Sequence, residues 1–118
     1  MLNHEQIEKY DPSGMHEVYD NWPKIARDSY STDLSPVHFD EIDHIIFVGM
    51  GGSGAIGDLF ASILTKTGIH VQVVKGYLLP KTVNSHTLVV ATSISGNTIE
   101  TITTVKSAQS LLCGHSRH

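Results

Sequence analysis

Three short apolar runs stand out along the chain. Residues 45–48 read Ile-Ile-Phe-Val, residues 71–74 Val-Gln-Val-Val, and residues 87–91 Thr-Leu-Val-Val-Ala. Each has the length of a strand. The first is apolar throughout and the third nearly so, as in parallel sheets whose two faces are covered by helices. After the first run, Ile56, Leu59, Phe60, Ile63 and Leu64 fall on one helical face. Residues 55–65 are therefore predicted to form a helix with those side chains inward and Gly68 as its C-cap. After the third run, Ile99, Ile102, Val105 and Ala108 give the inward face of a helix over residues 98–110. Upstream, residues 2–10 predict a short helix that makes its apolar contacts through Ile7 and Tyr10. It is broken by Asp11-Pro-Ser-Gly14, where Pro12 fixes φ and Gly14 permits a turn. Met15, Val18, Tyr19 and Trp22 lie at i, i+3, i+4 and i+7 and predict a second helix from Ser13 or Gly14. Pro23 interrupts it, residues 25–27 continue it, and Tyr19 and Trp22 are expected in the core.

The resulting order is β-loop-α-β-β-loop-α, which predicts an α/β fold with parallel strands and right-handed crossovers. Residues 1–40 form an N-terminal helical segment and residues 41–118 the α/β part. Ligands of such sheets bind at the carboxyl ends of the strands. Doubly wound sheets ordinarily carry more than three strands, and three bury little apolar area. No further apolar run of strand length follows residue 109, and Gly114 can stop the last helix. The chain is thus read as truncated, with its third strand an unpaired edge.

Both loops at strand carboxyl ends have unusual chemistry. Gly49-Met-Gly-Gly-Ser-Gly54 follows the first strand, and Ser93-Ile-Ser-Gly-Asn-Thr98 follows the third. Ser93, Ser95 and Thr98 put three hydroxyls at a strand-to-helix junction, with Gly96 and Asn97 to let the backbone turn. One hydroxyl there is ordinary capping; three, opposite a glycine loop, point to an anion cradle. The first N–H groups of a helix lack internal partners and sit at the positive end of its dipole, so a phosphate suits them. If the first and third strands are neighbours, the two loops face one crevice. Glu100, in the first helical turn, reads as a dipole-complementing cap rather than a catalytic group. His86 lies at the other end of its strand and is expected on the surface.

Other motifs fit less well. Gly49-x-Gly51-x-x-Gly54 matches the dinucleotide fingerprint, but Lys75 occupies the place of the acidic ribose-binding residue. A 2′-phosphate tolerates Lys75, which keeps an NADP-binding domain as an alternative. Neither serine meets the nucleophile-elbow pattern Gly-x-Ser-x-Gly, and the P-loop signature is missing. A net charge of −4 gives no basic field for nucleic acid. The polar residues 1–9 do not read as a signal peptide, and no apolar run approaches the ~20 residues of a membrane span. Cys113 is the lone cysteine, which suits a reducing cytoplasm. The eight histidines are scattered without metal-binding spacing, so no metal is expected.

The two loops together, Gly49-Met-Gly-Gly-Ser-Gly-Ala-Ile-Gly-Asp58 and Ser93-Ile-Ser-Gly-Asn-Thr-Ile-Glu-Thr101, resemble the sugar isomerase (SIS) domain. More narrowly, the chain is similar to the bifunctional phosphoglucose/phosphomannose isomerases. Tyr10-Asp-Pro-Ser-Gly-Met15 is similar to that family's opening and Gly76-Tyr-x-Leu-Pro80 to its middle loop. The resemblance covers residues 10–109. It implies a three-layer sandwich around a mainly parallel, flavodoxin-like sheet. It also implies that Ser93, Ser95 and Thr98 hold a sugar phosphate while Gly51, Gly52 and Ser53 lie along the sugar. The reaction so implied interconverts glucose 6-phosphate or mannose 6-phosphate with fructose 6-phosphate through a cis-enediol. It uses no metal or cofactor, in a cytoplasmic homodimer serving glycolysis and gluconeogenesis. The family's carboxylate base and ring-opening histidine lie downstream of the matched region, so no catalytic residue is assigned here. The chain is expected to bind the phosphosugar weakly and to lack isomerase activity alone. A non-enzymatic phosphosugar sensor is the other alternative. Its usual DNA-binding helix-turn-helix has no counterpart before Ile45.

Overall fold

The computed structural model describes residues 3–114 and divides the chain into two compact units, the division falling between Val37 and His38. The first unit is helical: α1 (His4–Tyr10), α2 (Met15–Asp20) and α3 (Trp22–Tyr30). Asn3 starts α1 with a capping box, its side chain accepting from the Gln6 N–H while Gln6 reaches back to the Asn3 N–H. Gly14 precedes α2 without a capping side chain, and Asp11 takes that role. Its carboxylate accepts from the His16 N–H at 2.7 Å and meets His16 Nδ1 at 2.8 Å. Pro23 does not interrupt a helix. It sits in the first turn of α3, where a missing N–H costs nothing, and the break falls at Asn21.

Tyr19 and Trp22 are not core residues of this unit. Their rings lie 4.8 Å apart and each is 57 % exposed. None of the three helices contains a buried residue. They are too short for an amphipathic stripe to find a partner inside the unit. Tyr10 is exposed as well, and Ile7 is half-buried.

The second unit is built on β1 (His44–Val48), β2 (His70–Val74) and β3 (Thr87–Ala91), all parallel, in the order β2-β1-β3. β1 is central, and Ile46 and Val48 on it are buried. α4 (Gly52–Leu64) joins β1 to β2 and packs on both, and α5 (Ile99–Gly114) follows β3. α4 lies on the Phe47 and Val73 face, where the Phe47 and Phe60 rings stack at 5.6 Å. α5 lies with Val89 and Ala91, the register partners of Ile46 and Val48, on the opposite face. The layers are helix, sheet, helix: an α/β sandwich around a parallel sheet.

Helical spacing places the inward face only in part: Val105 and Ala108 of α5 lie with β3 as expected, and Leu64 of α4 is half-buried, but most of the expected α4 stripe and both isoleucines of α5 are exposed. Ile56, Leu59, Phe60 and Ile63 of α4 all remain exposed, while Gly54 and Gly57 are buried. A Cβ at residue 57 would come within 2.9 Å of Phe47 Cβ, so the helix rides on its glycines and its larger side chains stay exposed, Phe60 reaching back over Phe47. Among the described side chains of α5, Thr101, Thr104 and Ala108 are buried, while Ile99 and Ile102 are exposed. α4 also ends before Gly68: its C-cap is Thr65, whose N–H bonds to Ala61 O. The predicted end of the chain lies only partly in view. α5 runs to Gly114, and residues 115–118 lie outside the described residues. No described helix is long and apolar enough to cross a membrane.

Candidate functional site

The register of the central pair fixes where the two loops begin. Val48 pairs with Ala91, the last residues of β1 and β3. The Thr92 N–H then donates to Val48 O at 2.9 Å, and the Gly49 N–H to Val74 O at 3.1 Å. Both loops therefore leave the carboxyl edge of the sheet from neighbouring strands. The sequence condition that the first and third strands be adjacent is met.

In the first loop the glycines divide by role. Gly49 and Gly54 pack against each other, and a Cβ at residue 54 would stand 2.7 Å from Gly49 O. Gly51 adopts φ +56°, a conformation that favours glycine, and Gly52 opens α4. A Cβ at residue 51 or 52 would meet nothing within 4 Å. These two glycines therefore face open space above the sheet edge. Ser53, in the first turn of α4, is half-buried.

The second loop is tied by its own hydroxyls. Ser93 Oγ accepts from the Gly96 N–H at 3.1 Å and lies 3.3 Å from Thr98 Oγ1. Ser95 Oγ accepts from the Asn97 N–H at 3.2 Å. Gly96 has φ +69°, which lets the chain double back into α5. Thr98 precedes the first residue of α5, and its carbonyl accepts from the Ile102 N–H. The serine oxygens thus accept from the backbone N–H groups of Gly96 and Asn97. Each serine accepts through a lone pair and keeps its own proton to donate. Ser93, Ser95 and Thr98 are gathered within one turn; Gly51, Gly52 and Ser53 are gathered in the other.

Neither loop contains a charged side chain. Among the neighbouring charged groups, Glu100 accepts from Tyr77 Oη at 3.2 Å, which raises the Tyr77 pKa because the carboxylate disfavours a phenolate beside it. Lys75 pairs with Asp58 of α4, and its stem crosses Gly54. The ammonium that an NADP site would need is thus engaged with α4. His86 is exposed, its Nδ1 2.9 Å from Glu41 O.

The sequence reading missed Tyr77, Thr101 and Thr104. The Thr104 hydroxyl lies 2.9 Å from Gly76 O and 2.8 Å from Glu100 O, tying the loop after β2 to α5. Thr98, Thr101 and Thr104 recur every third residue, a threonine stripe visible in the sequence. The buried His44, with Thr87 and Gln72 on its two ring nitrogens, was also missed; it lies at the opposite edge of the sheet.

The SIS domain family matches residues 38–111 of this chain. Among curated relatives, the bifunctional phosphoglucose/phosphomannose isomerase of Caldicellulosiruptor bescii is 41% identical over 99 residues, covering 80% of this chain and 29% of that protein. The same-named protein of Aquifex aeolicus is 38% identical, covering 74% of this chain and 25% of its own length. The D-glucosamine-6-phosphate 4-epimerase of Sulfolobus acidocaldarius is 37% identical, covering 82% and 30%. No solved structure matches. The chain spans less than a third of the length of these relatives. With two glycine- and hydroxyl-rich turns at one sheet edge and a match over most of the α/β unit, this chain belongs to the SIS domain family.

Proposed function

We propose that this chain is the phosphosugar-binding part of a sugar-phosphate isomerase that interconverts glucose 6-phosphate or mannose 6-phosphate with fructose 6-phosphate. The observation that supports this most is the in-register pairing of β1 with β3, from which both loops emerge side by side. Ser93, Ser95 and Thr98, with the N–H groups of Gly96 and Asn97, would take the phosphate; Gly51, Gly52 and Ser53 would border the sugar. Donation is entirely from neutral groups. They offer hydrogen bonds and a helix dipole without an ion pair, which suits a ligand that must leave again.

The reaction needs a base to carry a proton between C1 and C2 of the opened sugar, and a second group to assist ring opening. The proposed division is that this chain orients the ester and that the proton-moving groups come from elsewhere in a longer protein or a partner copy. Weak binding without isomerase activity is the behaviour proposed for the chain alone. A cytoplasmic homodimer acting in glycolysis and gluconeogenesis is the setting proposed for the whole enzyme.

The Sulfolobus relative gives a second reading. It is named for a phosphorylated sugar as well, D-glucosamine 6-phosphate, but for an epimerisation. On that reading the same cradle holds glucosamine 6-phosphate.

Calorimetric titration of the chain with fructose 6-phosphate and with glucosamine 6-phosphate tests both readings. Ser95→Ala removes one donor to the phosphate. A hydrogen bond to a charged group contributes about 1.5–3 kcal/mol, so affinity should fall about tenfold or more. Equal affinity of variant and parent for fructose 6-phosphate contradicts the proposed cradle.

A further inference from the structure

One hydroxyl of the α/β unit has no role in holding the fold. Among the described residues, Thr101 Oγ1 is the buried side-chain polar atom with no hydrogen-bond partner, on a residue 5 % exposed. Buried polar groups are almost always paired, so an exception calls for a reason. The rest of α5 shows the ordinary solution. Thr104, Ser107 and Ser110 each donate to the carbonyl four residues back. For Thr101 that carbonyl belongs to Asn97, which lies outside the helix beside Gly96 with its φ of +69°. The turn that shapes the cradle therefore takes away the partner that Thr101 would otherwise use.

The position of Thr101 suggests what replaces it. Thr98 and Thr101 are three residues apart and share a helix face. Helical side chains lean back toward the N-terminus, so Thr101 covers the turn before its own Cα. That turn carries Thr98, whose hydroxyl meets Ser93. We propose that Thr101 is a fourth hydroxyl of the cradle, joining the hydrogen-bond network of a bound phosphate monoester directly or through one ordered water. This rests on the phosphosugar reading above. A dianion takes the Gly96 and Asn97 N–H groups from the serine oxygens, the loop rearranges around it, and Thr101 gains an acceptor it lacks without the ligand. Its cost is carried in the free state and relieved in the bound state, so it contributes to affinity and not to folding.

The test compares Thr101→Val, isosteric and without the hydroxyl, with Thr101→Ser, which keeps it. Each is titrated with fructose 6-phosphate and with inorganic phosphate by calorimetry, and unfolded in urea without ligand. Thr101→Val should be at least as stable as the parent yet bind both ligands about tenfold more weakly. Thr101→Ser should bind within about twofold of the parent. Two results overturn the inference: parental affinity in Thr101→Val, or a loss in Thr101→Val that Thr101→Ser shares. If Ser95→Ala weakens binding while Thr101→Val does not, this inference falls alone. If the parent binds neither ligand, the phosphosugar reading falls with it.

Discussion

Gly54 is where the packing of α4 and the shape of the first loop meet, and Gly54→Ala separates them. The new methyl would stand 2.7 Å from Gly49 O, 3.0 Å from Lys75 Cε and 3.2 Å from Lys75 Cγ. The Lys75 stem is flexible and can move, at some expense to its pair with Asp58. Gly49 O is backbone at the end of β1 and cannot move without shifting the loop. Overpacking of this kind costs about 1–3 kcal/mol. Against it stands the helix preference of alanine over glycine, about 0.8–1 kcal/mol. Gly52→Ala supplies the reference: it makes the same exchange at the start of the same helix, into open space. The propensity gain largely cancels between the two, so Gly54→Ala should be less stable than Gly52→Ala by about 1–3 kcal/mol. Urea unfolding measures this directly, and comparable slopes would show that both variants unfold from the same compact state. The binding readout runs the other way for the reference. Gly52→Ala should lower fructose 6-phosphate affinity at undiminished stability, because its methyl fills the space proposed for the sugar. Equal stability of the two variants, with parental affinity in both, would refute the role given to the first loop.

Two further outcomes follow from hydrogen bonds elsewhere. The Asp11 carboxylate, accepting first from the His16 N–H and then from its ring, is held at about 2, and it raises the His16 pKa above 6.5 in return. The His16 contribution to the helical unit is full below 6.5 and is lost as pH rises through the raised value. The Asp11 contribution is full above 3.8 and is lost as pH falls toward about 2. An NMR titration should place the His16 midpoint above 6.5 in the parent and lower in Asp11→Asn; an unchanged midpoint would break the link. Thr104→Val should cost about 1–2 kcal/mol in urea, since it removes from a buried residue the one hydroxyl that lies between the Gly76 and Glu100 carbonyls. Parental stability in that variant would mean that the loop after β2 does not depend on α5.

The strands are legible because each is a brief apolar run, and the observed bounds differ from the predicted ones by a residue at most. The helices are legible as helices, yet their inward faces are not. Periodicity reports that a stripe exists without saying what approaches it. In α4 two stripes compete, Gly54 and Gly57 against Ile56, Leu59, Phe60 and Ile63, and the sheet takes the glycines because they allow the backbone closest. Of the apolar stripe, Phe60 touches the sheet through Phe47, and all four side chains stay exposed. In α5 threonines displace isoleucines from the interior, which a hydropathy pattern cannot anticipate. Thr104 is acceptable there because its hydroxyl is satisfied along the helix. The same blindness makes Tyr19 and Trp22 read as core, although their own unit has nothing to cover them.

The two loops are legible for a different reason: their chemistry is local. A glycine at positive φ and a serine capping an N–H two or three residues on need only neighbours in the chain. What brings the loops to one place, the pairing of β1 with β3 rather than with β2 alone, is a tertiary choice. So are the contacts that surround them: Lys75 on Asp58, Tyr77 on Glu100, Thr104 on Gly76. Their consequence is that Lys75 and Glu100, the charged groups beside the loops, are engaged with protein partners, while loops 49–53 and 92–98 themselves carry only neutral groups. The phosphate proposed for this site would be held by dipoles. Neither loop carries a carboxylate or an imidazole, so the proposed binding rests on residues of these loops while the base of the proposed reaction has to be sought beyond them.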